Sequence, residues 1–129
     1  DVSTITATDA ILKAELRLTL DTTKTLSGNM GLPNKISLIT RLQKDSSVTN
    51  YGATYSSGRL SGSDKVIFYN VGQALDQARR SYNGKASFSI VSTGSMLERH
   101  AMYGLNAPPD KRPVLIVTYA ARPTAGGKR

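Results

Sequence analysis

The chain has 129 residues, no cysteine, and a formal net charge of +8, from 17 Lys and Arg against 9 Asp and Glu. This length predicts a single domain, and the missing cysteines exclude disulfides, thiol nucleophiles and cysteine-ligated metal sites. The sequence contains no run of about 18 apolar residues, so we predict no membrane-spanning helix.

The clearest strand signal lies in residues 10–20, where apolar and polar positions alternate. Lys13, Glu15 and Arg17 stand on one side of this pattern and apolar residues on the other. Such a strand belongs to an antiparallel sheet, with one face on a core and one face in solvent. The positions predicted to face the core are Leu12, Ala14, Leu16, Leu18 and Leu20.

Polar stretches surround this strand. Residues 1–9 predict a short edge strand or lead-in, and the Asp1 start is typical of a chain processed or cut from a longer one. Residues 21–34 predict a long loop, residues 35–43 a second strand, and residues 44–63 a long loop or weak hairpin rich in Ser, Gly and Tyr. Long loops in compact domains are often functional.

The second half of the chain begins with a strand over residues 65–71 and then changes to helical spacing over residues 72–82. Asn83 and Gly84 predict the end of this helix, because both residues tolerate a left-handed backbone. The apolar residues at helical spacing, which fall on one face, are Val71, Leu75, Ala78 and Tyr82.

Two further strands complete the pattern. Residues 85–92 predict a strand with Ala86, Phe88 and Ile90 inward, and residues 112–119 predict a strand of Val and Ile type. Residues 95–103 fit either a helical turn or a strand, and residues 107–110 predict a turn. Short apolar stretches separated by turn residues predict an all-β fold with one short α-helix.

The order of these elements resembles a known family. The strand at residues 65–71 runs straight into a helix, and the strand at residues 85–90 is followed by Met-Leu-Glu-Arg-His-Ala. The chain then closes with Arg-Pro-Val-Leu-Ile-Val-Thr-Tyr over residues 112–119. This pattern resembles the disaggregatase-related (DNRLRE-type) domains, whose last strand reads Arg-Pro-x-Leu-x-Val-x-Tyr. Residues 10–20 also resemble their Ala-x-Leu-x-Leu strand.

The resemblance implies an antiparallel β-sandwich of jelly-roll type with one short α-helix. The length and composition predict a single domain over residues 1–119, followed by a basic polar tail over residues 120–129. The family's first strands are largely missing, so residues 1–9 replace them or another chain supplies a strand. An open sheet edge of this kind invites strand addition by a partner.

Catalytic signals are weak. A Ser-His-Asp triad would have to use His100, the single histidine, with Ser95 as nucleophile and Asp110 or Glu98 as its orienting acid. No strand–turn–helix elbow surrounds any serine. Glycoside cleavage needs two carboxylates facing each other across a cleft, and the acids here lie in predicted loops or on charged faces. We therefore predict that the chain is not an enzyme.

Metal and cofactor signals are weak as well. Calcium needs several converging oxygen ligands, and no Asp-x-Asp-x-Asp-Gly loop occurs. We predict no cofactor, with a structural calcium ion held mostly by backbone carbonyls left open. No phosphate-binding loop occurs, because the Gly-Gly-Lys-Arg sequence at residues 126–129 lacks a following helix.

The basic residues are the remaining signal. A row of cations on one sheet face attracts a polyanion, and arginine binds carboxylates in a forked geometry. Neighbouring tyrosines could stack on sugar rings. The alternative interpretation is a solvated face that keeps the module soluble. The candidate ligand-binding residues are Lys13, Arg17, Arg41, Tyr51, Tyr55 and Arg59.

These signals predict a noncatalytic module that binds an acidic polysaccharide outside the cell or at its surface. The alternative is a structural subunit of an extracellular or viral assembly, such as a filament, capsid or decoration protein, in which other copies or chains are joined by strand addition. A nucleic-acid partner is not predicted, because charge alone is not a recognition motif.

Overall fold

The computed structural model describes residues 5, 9–26, 36–44, 47–49, 56–57, 59–61, 64–69, 71–81, 86–92 and 99–121. Within these residues the chain forms eight strands, one α-helix and a 3-10 turn at Pro109–Lys111. They follow in the order β1 (Ala10–Thr19), β2 (Ile36–Lys44), β3 (Ser47–Thr49), β4 (Ser56–Ser57), β5 (Arg59–Ser61), β6 (Lys65–Tyr69), α1 (Gly72–Ser81), β7 (Ala86–Ser92) and β8 (Val114–Ala120).

The strands form two antiparallel sheets. The first sheet has the order β5-β6-β1-β8, so the first and last described strands are neighbours. In the second sheet β7 runs along one side of β2, while β3 and β4 pair with β2 at its two ends on the other side. The prediction of an all-β fold with one short helix is therefore confirmed.

One apolar core joins both sheets and the helix. The inner face of β1 supplies Leu16 and Leu18, and the inner face of β6 supplies Phe68, which is fully buried. Leu38 of β2 and Leu75 of α1 belong to the same cluster. Burying each such side chain stabilises the fold by about 1.5–3 kcal/mol, so this cluster is the main reason the two sheets stay together.

A β-bulge near the start of β1 changes which residues face the core. Ile11 pairs with Tyr119 but Lys13 pairs with Thr118, so an extra residue interrupts the register with β8. The bulge reverses the alternation, because two residues oppose one across the ladder. Leu12 is consequently 66% exposed, and Ile11 packs on the core instead. The prediction that Leu12 faces inward is therefore wrong.

The inward face predicted for the strand at residues 85–92 is only partly present. Phe88 packs against the core, whereas Ile90 is 43% exposed. Among the described strands β7 pairs only with β2, so it lies at a sheet edge. An edge position leaves inner-face residues less covered than a central one.

Helix α1 packs on β1 beside the bulge. A Cβ added at Gly72 would lie 3.5 Å from Ile11 Cγ2 and 3.5 Å from Ala14 N, so the helix start is in van der Waals contact with the strand. The last turn carries Arg79 and Arg80, cations that interact favourably with the negative end of the helix dipole. Both donate hydrogen bonds to Asp76, one turn earlier.

Residues 99–103 extend the pairing of β1 beyond β8. Tyr103 N donates to Thr19 O at 3.0 Å and Asp21 N donates to Ala101 O at 2.8 Å, on the same side of β1 as β8. The segment that the sequence left ambiguous is thus extended where the structure describes it. Residues 104–113 leave the ladder between these two pairings and carry the 3-10 turn.

Candidate functional site

The outer face of the first sheet carries the charged half of β1. Arg17 lies directly between Ile67 of β6 and Val114 of β8, and Thr19 lies opposite Lys65. Residues directly opposite across antiparallel strands share one face of the sheet. Cations and apolar residues therefore alternate across this face rather than forming a purely polar surface.

A groove with a volume of about 270 Å³ lies on this face. Its apolar lining is Ile67, Val114 and Ile116, and its cationic lining is Arg17, Lys65 and Arg112. Thr19 and Asp110 complete it. The sheet supplies most of the floor, and the 3-10 turn with the residue after it supplies one wall.

Lys65 is fixed by the groove wall. Its ammonium Nζ donates hydrogen bonds to Thr19 Oγ1 at 2.8 Å and to the backbone oxygen of Asp110 at 3.1 Å. An ammonium has three donors, and these two acceptors satisfy two of them. Lys65 thus ties the turn to the sheet and holds a positive charge at a defined position.

The loop that carries Arg112 is braced from within. Arg112 Nε donates to Ala107 O at 2.6 Å, and the Lys111 ammonium lies 4.8 Å from the centre of the Tyr103 ring. A cation over an aromatic face is attracted by the ring electrons. These contacts hold the loop in place while Arg112 lines the groove.

Glu15 is the internal counter-ion of this face. It forms ion pairs with Lys13 and with Arg17, whose Nη2 lies 2.9 Å from Glu15 Oε2. The Glu15 side chain is only 7% exposed, and its cross-strand neighbours are Tyr69 and Ile116. Hydrogen bonds from Lys13 and then from Arg17 lower the pKa of its carboxyl below the ordinary value.

The structure brings together only some of the predicted site residues. Lys13 and Arg17 lie on the solvent side of β1, and Arg59 of β5 pairs with Ile67, in the same cross-strand row as Arg17. Arg41 lies in the second sheet, where it pairs with Ser87. Tyr51 and Tyr55 lie outside the described residues.

Two of the three groove cations, Lys65 and Arg112, were not among the ligand-binding residues predicted from the sequence. The aromatic residue placed near the cations is Tyr69, whose ring centre lies 5.9 Å from Lys13 Nζ. The available signal was the adjacent pair Lys111 and Arg112 just before a strand, since cations that flank an edge strand lie beside a sheet face.

Of the four catalytic candidates, His100 and Asp110 lie within the described residues. His100 lies in the extended segment beside β1, and Ser95 and Glu98 lie outside the described residues. Asp110 contributes its backbone oxygen to Lys65. Among the described residues no three His, Asp or Glu side chains are grouped to hold a metal ion. The absence of catalysis and of a cofactor stays a prediction.

No helix in the described ranges combines the length and apolar character needed to cross a bilayer. No family model, no curated protein and no solved structure matches this chain. The resemblance to the disaggregatase-related domains therefore stays a prediction.

We expect the free energy of unfolding to decrease as the pH falls below about 4.5. Glu15, Asp21 and Asp76 all have a pKa below the ordinary value in the folded chain. Hydrogen bonds from Thr23 are the main cause at Asp21, while at Asp76 those from the two helix arginines outweigh the opposing effect of burial. The unfolded chain therefore binds more protons in this window, so acid favours unfolding.

Urea denaturation between about pH 6 and pH 3 measures this dependence. Glu15→Gln removes one of the three carboxylates, so its stability should vary less with pH than that of the unmodified chain. Equal slopes for the two proteins would contradict the contribution assigned to Glu15.

Proposed function

We propose that this chain is a noncatalytic module that binds an acidic polysaccharide, with the groove on the outer face of the first sheet as its binding site. The observation that supports this most is the combination of an apolar floor with Arg17, Lys65 and Arg112 around it. Sugar rings have apolar faces, and sugar acids carry carboxylates that accept hydrogen bonds from arginine and lysine. One shallow site of this kind suits both the apolar face of a sugar ring and its carboxylate.

Charge supports the same choice of ligand. The chain carries +8 overall, which raises the local concentration of polyanions and speeds their association. The three groove cations come from three separate parts of the chain, so their convergence depends on the folded sheet rather than on a local basic run. A folded arrangement of cations can select among polyanions, whereas a basic tail attracts them all.

The fold and location form part of this proposal. We assign the two sheets to a jelly-roll β-sandwich related to the disaggregatase-type carbohydrate-binding domains, acting outside the cell or at its surface. The order of the strand at Lys65–Tyr69, the helix and the closing strand at Val114–Ala120 supports this assignment. The closing strand forms one side of the proposed site, through Val114 and Ile116.

The direct test is calorimetric titration of the chain with polygalacturonate, a polymer of a uronic acid, and with neutral dextran of similar length. We expect binding of polygalacturonate that weakens as salt is added, because screening reduces attraction between exposed charges. Dextran should bind far more weakly. Equal affinity for both polymers, or no binding to polygalacturonate at low salt, would overturn the proposal.

A further inference from the structure

β8 is an edge strand of the first sheet in the part of the chain that the structure describes. Among the described residues it pairs only with β1, and its seven residues, Val-Leu-Ile-Val-Thr-Tyr-Ala, include no charge and no proline. Val114 is 44% exposed, Ile116 is 37% exposed and Tyr119 is 50% exposed. An edge of this length and composition presents a row of backbone donors and acceptors beside apolar side chains.

The opposite edge of the same sheet differs. The described part of β5 is three residues long, Arg59–Ser61, and begins with a charged residue. Short length and charge are the usual means by which proteins prevent unwanted pairing at sheet edges. Within the described residues the first sheet is therefore protected at β5 and unpaired at the outer side of β8, so we take β8 as the edge for strand addition.

We propose that a second copy of this chain pairs with it through β8, antiparallel and about a twofold axis. The two four-stranded sheets then form one continuous eight-stranded sheet. A twofold axis sets the same edge against itself, so each donor row meets the matching acceptor row. Antiparallel pairing is also the arrangement of every described strand pair in the chain.

The charge distribution favours a second copy of this chain as the partner of β8. The chain carries a net charge of +8, so two such chains repel each other overall. β8 itself is uncharged over all seven residues, so this edge brings two copies together without placing cation against cation along the pairing strands. Val114 and Ile116 gain an apolar neighbour from the other copy, which reduces their exposure.

The proposed interface is small, so we expect the dimer to be weak. Seven residues of strand span about 24 Å, and pairing along one edge covers less than the roughly 1,200–2,000 Å² of a stable interface. The dimer should therefore form reversibly and depend on concentration. Added salt should strengthen it by screening the repulsion between two positive chains. Salt should weaken polygalacturonate binding, so the two proposals respond to salt in opposite directions.

Sedimentation velocity over a concentration series, without ligand, tests the dimer. The informative variant is Thr118→Glu, because Thr118 is exposed on β8 and lies opposite Lys13, which can pair with the new carboxylate within one copy. In the dimer the same carboxylate lies at the contact between the two β8 strands. We expect the variant to dimerise at least tenfold more weakly than the unmodified chain.

The matched control is Thr22→Glu, which makes the same change at an exposed turn residue outside the sheets. It should dimerise like the unmodified chain. Circular dichroism checks that each variant is folded. If Thr118→Glu does not fold, Ala120→Glu serves as the second variant of the β8 edge. A chain that stays monomeric at every concentration, or one that grows beyond a dimer into filaments, would overturn twofold pairing. Equal dimerisation of all the folded variants would overturn the choice of β8.

Discussion

We expect the paired variant Arg17→Gln/Arg112→Gln to bind polygalacturonate roughly thirtyfold more weakly than the unmodified chain. Each arginine is placed to donate charge-assisted hydrogen bonds into the groove, and losing about 1 kcal/mol at each exposed position gives this factor. The two side chains come from separate parts of the groove lining, one on β1 and one after the 3-10 turn. Calorimetric titration at fixed low salt measures the change.

A matched variant separates the groove from overall charge. Lys24→Gln/Arg80→Gln also lowers the net charge by two, but neither residue lines the groove, and both pair with carboxylates elsewhere. It should lose no more than a few-fold in affinity, since only long-range attraction is reduced. If the two paired variants lost the same affinity, the polymer would be held by net charge and the groove would not be its site.

Replacing Phe68 by alanine should have the largest effect on stability. Phe68 has no exposed surface and lies on the inner face of β6, between the first sheet and the rest of the core. Truncation of a buried phenylalanine costs about 3–5 kcal/mol, through lost burial and the cavity left behind. Because small domains have only about 5–15 kcal/mol of net stability, this variant should be close to unfolding. Urea denaturation measures the loss.

Leu105→Ala is the control for this effect. Leu105 is 75% exposed, so its truncation should change the free energy of unfolding by no more than about 0.5 kcal/mol. Comparable losses for the two variants would contradict a core centred on Phe68. A destabilised Phe68→Ala chain should also lose polygalacturonate binding on heating earlier than the unmodified chain, because the groove is built from the same sheet.

Much of the fold could be predicted from local sequence patterns. Alternation over residues 10–20 predicted β1, and helical spacing over residues 72–82 predicted α1, because burial of one face is a property of neighbouring residues. Leu12 departs from the pattern because the bulge arises from pairing with β8, near the other end of the chain. Register with a distant partner has no signal in a local window.

The candidate site was harder to predict, because it too depends on pairing between distant parts of the chain. The solvent face of β1 predicted Lys13 and Arg17, of which Arg17 lines the groove. The other groove cations, Lys65 and Arg112, approach β1 only through its neighbours β6 and β8. Arg41 sits on a strand with a similar pattern yet belongs to the second sheet. Alternation shows that a residue faces solvent, but it does not show which sheet carries it.

The loop at residues 104–113 has a consequence for how such a module diversifies. Met102 stands opposite Leu20 and Val114 opposite Arg17, so the loop leaves and rejoins the ladder at points only about 10 Å apart. Doubling the length of such a loop costs only about 0.6 kcal/mol, and a Cβ at Gly104 would meet no atom within 4 Å. The stretch that contributes Asp110 and Arg112 can thus be exchanged for another while both flanking segments keep their hold on β1. A library confined to this loop would therefore vary one wall of the groove while leaving the sheet residues of its lining unchanged.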